Sequence, residues 1–333
     1  QAVEKKMVSI LIPARNEAHN LPPLLDALLG QTYENFELIV YDDHSDDGTS
    51  EILRKYTLKD IRMKWIRGSA LPPGWNGKNH ACHQLAGRAK GELFLFLDAD
   101  VMVSSDLLEK AVTRQQRDNL SLLSVFPHQI MKSKGEWLTV PLMNWILLSL
   151  LPMALVRKSP RPSFAAANDQ FIMFRAEDYN KYRWHEQVRE SLVEDIEISR
   201  MVKQKGLATA TLLGNDDVMC RMYGSFNQGI HGFAKNVTEF FGGSLFTTLA
   251  FLVATISGVV LIPYALGWGW FTVYLLSILL IRVLISAASR QSIRKNLMYH
   301  FPQMIAFVFI VVKGIQVKKR GRYQWKGRYA VQS

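Results

Sequence analysis

The chain of 333 residues is long enough to carry more than one domain, and its two cysteines, Cys82 and Cys220, are too few for a disulfide framework or a zinc cage. Lys and Arg exceed Asp and Glu by 11, with much of the excess beside apolar segments, in "VRKSPRP" (156–162), "SRQSIRKN" (289–296) and "VKKRGRYQWKGR" (317–328). Basic flanks of that kind suit the anionic headgroups of a membrane and argue against nucleic acid as the partner.

Residues 7–14, "MVSILIPA", read as a strand, and "EAHNLPPLLDALLGQ" (17–31) reads as a helix ending near Gly30. "FELIVYDD" (36–43) is a second strand, followed by a turn at Ser45, Asp46 and Gly48 and a helix over 49–56. "MKWIRG" (63–68) is a third strand. A Gly- and Pro-rich loop then leads to a helix over 80–90, and "ELFLFLDAD" (92–100) is a fourth strand that runs into two carboxylates. This alternation predicts an α/β fold with a doubly wound, Rossmann-like sheet, whose ligands lie beyond the carboxyl ends of the strands. "VEDIEISRMVKQKG" (193–206) repeats its apolar positions at helical spacing.

Residues 136–158 are nearly apolar but broken by Pro141 and Pro152, which favours an in-plane or re-entrant helix over a straight span, with burial in a soluble core as the alternative. Segments 245–266 and 268–289 are almost uncharged and long enough to cross a bilayer. Full crossing by a third apolar segment, 301–317, would leave the basic residues after it on the far side, so a short re-entrant or interfacial segment is expected there. The expected division is a catalytic domain over 1–243, membrane helices over 244–317 and a basic cytoplasmic tail over 318–333. That makes a multi-pass protein of the cell membrane with its catalytic domain in the cytoplasm.

Two carboxylates one residue apart at a strand end, Asp98 and Asp100, offer hard oxygen ligands to Mg²⁺ or Mn²⁺, an ion that also bridges the phosphates of a nucleotide. A solvated acidic turn is the plainer alternative. Asp42 or Asp43, at the second strand end, suits hydrogen bonds from a base or ribose, or else caps the turn. Lys78 and the free N–H groups of its helix entrance suit a diphosphate, unless the lysine is merely solvated. His80 and His83 lack a third nearby ligand, so no metal is expected on them.

"PARNE" (13–17), "YDDHSDDGT" (41–49), "DAD" (98–100) and the acidic helix at 193–206 follow one another in an order that resembles the motifs of the family 2 glycosyltransferases. The resemblance implies a GT-A (nucleotide-diphospho-sugar transferase) domain and an inverting reaction. It places Pro13, Arg15 and Glu17 beside the nucleotide, although Arg15 and Glu17 pairing with each other is an alternative. It also places Asp42 or Asp43 on the nucleoside, Asp98 and Asp100 on the metal with Asp98 against the donor, and Asp195 as the catalytic base. An attacking hydroxyl must lose its proton, and Glu194 beside Asp195 would raise the pKa of that base. Pairing of Asp195 with Arg200 or Lys203 on the helix surface is the alternative.

"GWNGKNHAC", "LLSVFPH", "FRAEDYNKYRWH", "RMYGSFNQGIHGFAKN" and "WKGRYAV" resemble, within that family, the bacterial carotenoid-acid (diaponeurosporenoate) glycosyltransferases and the hopanoid-associated and ceramide-type lipid glycosyltransferases. The QxxRW motif of processive synthases is missing, which argues against a long polymer. Its absence leaves Arg221 or Lys235 to balance the leaving diphosphate, unless these face lipid. Asn168 in "AAANDQ" and the "RWHE" stretch depart from the pattern and leave the acceptor open. The implied activity is transfer of one sugar from a nucleotide-diphosphate sugar, UDP-glucose or similar, to a membrane lipid such as a carotenoid acid, hopanoid or glycerolipid. The alternatives are a polysaccharide or polyprenyl-phosphate glycosyltransferase and a non-catalytic scaffold that binds nucleotide sugar.

Overall fold

A computed structural model describes residues 4–320, 322–325 and 328–331. The chain folds as two compact units, Gln1–His128 with Pro152–Cys220, and Gln129–Leu151 with Arg221–Ser333. The first unit opens with β1 (Val8–Ala14), α1 (Leu21–Leu29), β2 (Phe36–Asp42), α2 (Thr49–Lys59), β3 (Met63–Arg67), α3 (Gly77–Ala86) and β4 (Leu93–Leu97). Next come β5 (Val101–Val103), α4 (Leu107–Arg117), β6 (Leu122–Phe126) and, at the boundary, β7 (His128–Gln129). The second unit takes α5 (Lys134–Thr139) and α6 (Pro141–Leu150). The chain then returns to the first with α7 (Met153–Lys158), β8 (Phe171–Arg175), α8 (Ala176–Tyr182), α9 (Trp184–Gln187), α10 (Glu194–Gln204), β9 (Thr209–Leu213) and β10 (Val218–Cys220). The second unit is completed by α11 (Phe226–Ala234), α12 (Leu245–Leu266), α13 (Trp268–Ala288), α14 (Ile293–Met298), α15 (His300–Arg320), β11 (Arg322–Trp325) and β12 (Arg328–Val331).

The main sheet has seven strands in the order β3-β2-β1-β4-β8-β6-β9. β1, β2, β3 and β4 are parallel, as the strand–helix alternation predicts, and the five side chains of β4 are all buried, the pattern of a strand covered on both faces. Register places Pro13 opposite Tyr41 and Ala14 opposite Asp42, while β4 flanks β1 on its other side. Three motif-bearing strand ends therefore share one edge of the sheet. β8 enters antiparallel between β4 and β6, so the sheet is mixed. Its core is aromatic, with Phe94, Phe96, Phe174, Tyr179 and Trp184 buried together.

Helix α3 begins at Gly77, three residues before the expected start, because the Asn76 side chain accepts from the Lys78 N–H at 3.0 Å and caps it there. The segment expected as one broken helix over 136–158 is three helices, α5 to α7, divided between the units. Pro141 opens α6 and Pro152 precedes α7, positions where a missing N–H costs nothing. Residues 221–243, expected with the catalytic domain, fall in the second unit.

In the second unit α12, α13 and α15 are each long and apolar enough to cross a membrane. A continuous helix stands where a short re-entrant or interfacial segment was expected. Gly314 of α15 lies against α11, where a Cβ would meet Ala234 O at 2.8 Å and Val237 Cγ1 at 2.6 Å. Trp145 of α6 packs on Phe251 of α12 and Phe307 of α15. The basic tail read over 318–333 falls partly outside the described residues, which lack 321, 326, 327, 332 and 333.

Candidate active site

The loops after β1 and β2 are laced to each other by side chains. Ser45 Oγ accepts from Asn16 N at 2.9 Å, Asn16 Oδ1 from Asp46 N at 3.0 Å, and Thr49 Oγ1 from Glu17 N at 2.9 Å. Asp47 accepts from Ala18 N at 3.0 Å and from Thr49 N at 3.1 Å; burial opposes its charge, yet these bonds hold its carboxyl below the usual value. Gly48, at φ +92, supplies the left-handed turn into α2. The two stretches "PARNE" and "YDDHSDDGT" thus form one rigid rim.

Within the rim the two neighbouring aspartates differ. Asp42 Oδ1 accepts from Ser45 N at 3.1 Å and Oδ2 from the Ser50 hydroxyl, so its carboxylate braces the turn. Asp43 meets the Arg15 guanidinium, which donates to the Asp43 carbonyl at 2.5 Å and lies 3.9 Å from its carboxylate. Glu17 accepts from Asn20 Nδ2 at 2.7 Å.

Lys78 is the hub of the site. Its ammonium lies 2.9 Å from Asp98 Oδ1, in contact with Asp169 and 3.5 Å from Glu194 Oε1, which draws together the end of β4, the entry to β8 and the start of α10. Burial opposes its charge, but Asp169, Asp98 and Glu194 hold the ammonium well above lysine's ordinary value. For Asp98, burial and the charges of Asp169 and Asp100 outweigh Lys78 and push the carboxyl well up. Burial, then Asp169 and Glu194, push Asp195 well up, while its Oδ1 accepts from Ile196 N at 2.8 Å. Lys203, an expected surface partner of Asp195, instead donates to the carbonyls of Val156 and Ser159. Pro13, Lys78, Asp98, Asp169, His185 and Glu194 line one pocket.

The residues present fit a divalent ion. Asp100 Oδ1 is buried without a hydrogen bond, and its Oδ2 faces the Cys220 thiol at 3.9 Å, so one oxygen of the pair stands ready for a cation. Among the described residues no three His, Cys, Asp or Glu side chains form a metal cage. Two carboxylates completed by substrate phosphates is how Mg²⁺ is commonly held.

Arg221 and Lys235 belong to the second unit. Arg221 is engaged by buried Glu136, with Nε at 3.1 Å and Nη2 at 2.6 Å from Oε1, and burial lowers the Lys235 pKa. Two pocket residues escaped the sequence reading. Asp169 sits in no motif and reaches Lys78 only because β8 runs antiparallel beside β4. His185, buried with its Nδ1 2.6 Å from the Tyr179 hydroxyl, is pushed down to about 3 by burial and then by the Lys78 and His83 charges, so it is neutral.

The profile described as "Glycosyl transferase family 2" matches residues 9–183. A 4,4'-diaponeurosporenoate glycosyltransferase of Staphylococcus haemolyticus is 26% identical over 69% of this chain and 60% of its own length. One from Staphylococcus aureus is 26% identical over 72% of this chain and 63% of its own. The chain thus spans less than two thirds of these relatives. In three dimensions a mannosyltransferase from Pyrobaculum calidifontis, solved with GDP-Man and Mn²⁺, superposes with a TM-score of 0.60 at 15% identity, over 95% of this chain and 88% of that one. The shared fold is the expected GT-A arrangement.

Proposed function

The chain belongs to glycosyl transferase family 2, and on that premise we propose that it moves a single sugar, with inversion, from a nucleotide-diphosphate sugar such as UDP-glucose to a membrane lipid. The observation that carries this reading is the meeting of Asp98, Lys78 and Glu194 in one pocket, with Asp195 next in sequence, where a donor diphosphate and an attacking group must both fit. Asp195 takes the proton of the acceptor hydroxyl as that oxygen bonds to the anomeric carbon. The bond from this carbon to the diphosphate breaks, its electron pair leaving with the diphosphate, and one displacement inverts the centre. Lys78 offers its ammonium to the diphosphate, Pro13 and Asp43 border the nucleoside, and Asp42 and Glu17 keep that border rigid. Arg15 holds Asp43 in place. Asp98 and Asp100 would hold Mg²⁺ or Mn²⁺, which supplies positive charge for the departing diphosphate.

The relatives that share about 26% identity are named for a carotenoid acid, and the three apolar helices supply a membrane setting for a lipid acceptor. In this proposal the protein is multi-pass in the cell membrane, with the catalytic unit and the basic residues near 290–295 on the cytoplasmic side. The test is incubation of the purified protein with a lipid extract and a panel of labelled nucleotide sugars. One labelled lipid and a released nucleoside diphosphate are expected. Donor binding without turnover would leave only a scaffold, and a ladder of products would indicate a polymerising enzyme.

A further inference from the structure

We infer that Asp169 makes this site select a neutral hydroxyl over a carboxylate as the acceptor's reacting group, an inference that rests on the transferase reading above. The pocket's lining places Asp98, Asp169 and Glu194 around a single ammonium, that of Lys78, and Lys78 already touches all three. The lining has no other charged side chain. His185 is held neutral by burial, and Cys82, Phe96, Leu97, Ile172 and Phe174 are uncharged. Asp169 is the most open of the three acids, with 35% of its side chain exposed against 25% for Asp98 and 9% for Glu194. An ionised acceptor would meet that negative rim before any cation.

Hydrogen-bond chemistry points the same way. Glu194 is buried in the pocket lining, and the Lys78 ammonium lies 3.5 Å from its Oε1. Asp169 and Glu194 offer the pocket acceptor oxygens. A hydroxyl brings a donor to such atoms, whereas an ionised carboxylate brings acceptors alone. The acceptor's proton also needs a destination: Asp195 takes it from a hydroxyl, but a carboxylate near neutral pH has none to give, and the base would stand idle. Asp169 touches Lys78, and its charge bears on Asp98 and Asp195 alike. Without it the pocket keeps Lys78, Asp98 and Glu194 but loses the exposed charge that turns an acid away.

The linkage in the product reads this choice directly. Transfer to a hydroxyl gives a glycoside, which survives mild alkali, and transfer to a carboxylate gives an acyl ester, from which mild alkali releases free sugar. The full chain in detergent is supplied with Mn²⁺, labelled UDP-glucose or GDP-mannose, and a total lipid extract supplemented with equal hexadecanol and hexadecanoic acid. About nine-tenths of the lipid-bound label is expected to remain glycosidic after alkali. Asp169→Asn is expected to raise the alkali-released share roughly fivefold, mainly through a lower KM for the acid. Asp169→Glu, which keeps the charge, is expected to retain the parent's preference and guards against a merely structural effect. Predominantly alkali-released label in the parent overturns the inference and leaves the transferase reading standing. An unchanged share in a folded, donor-binding Asp169→Asn protein overturns the role of Asp169. Failure to label any lipid with either donor overturns the transferase reading and the inference with it.

Discussion

At the scale of single residues, the carboxylates of the candidate site are asked to do different work, and substitution separates them. Asp195→Asn keeps size and hydrogen-bonding reach but removes basicity, so transfer to an alcohol is expected to fall roughly 10²- to 10⁴-fold. Donor affinity should stay within a few-fold, as single-turnover and donor-binding measurements on the same preparation would show. Asp100→Ala is expected to abolish the metal-dependent part of donor binding while the fold survives, which calorimetry with and without Mn²⁺ checks. The position of Asp98 and Asp100 at a strand end was legible in the sequence because the apolar run of β4 leads straight into them. Asp169 was not legible: its importance is a contact made across 91 positions, and nothing local in "AAANDQ" announces it. Asp42 and Asp43 could not be told apart by type, since only the Ser45 and Ser50 hydrogen bonds show which carboxylate is spent on the turn.

At the scale of elements, α5 is held at its start by a capping box, in which Ser133 Oγ accepts from Glu136 N and Glu136 accepts from Ser133 N, with Arg221 on the remaining oxygen. Burial opposes the Glu136 charge, but Arg221 and the N–H groups of Lys132 and Ser133 hold its carboxyl below the usual 4.5. A group whose folded pKa is depressed lends stability above its unfolded pKa and loses it as pH falls through the folded one. The stability gap between the parent and Glu136→Gln is therefore expected to be full above about pH 5 and to close toward acid, read from denaturation midpoints across that range. Arg221→Ala is expected to cost about 2 kcal/mol, below the range for fully buried pairs because Arg221 is 42% exposed. The prolines of 136–158 were read correctly as breaks. Their outcome, three helices shared between two units, depended on partners far along the chain. At the contact of α11 with α15, Gly314→Val has no room beside Ala234 and is expected to lower the thermal midpoint in detergent.

At the scale of the whole molecule, strand–helix alternation and long apolar runs were enough to read the parallel half of the sheet and the first two helices long and apolar enough to cross a membrane, because both signals are local. The antiparallel insertion of β8 and the company kept by residues 129–151 were hidden, since each is settled by pairing between distant segments. Ending the chain at residue 243 removes α12 to α15 and strips α6 and α11 of their partners. The product is expected to bind nucleoside diphosphate in detergent, to fail on lipid, and to aggregate once detergent is withdrawn, which sedimentation would show. The interleaving of the units also bears on biogenesis. Trp145 leaves the ribosome roughly 160 residues before Phe307, its packing partner, an interval of roughly 8–30 s at ordinary rates of synthesis. The first unit is completed only once residue 220 emerges, about midway through that interval, and the helix pair α5–α6 is unmatched until Phe251 and Phe307 follow. Early docking of that pair on the bilayer surface would shelter it, so slow translation or delayed membrane targeting should reduce yield far more than it would for a protein whose units follow one another in sequence.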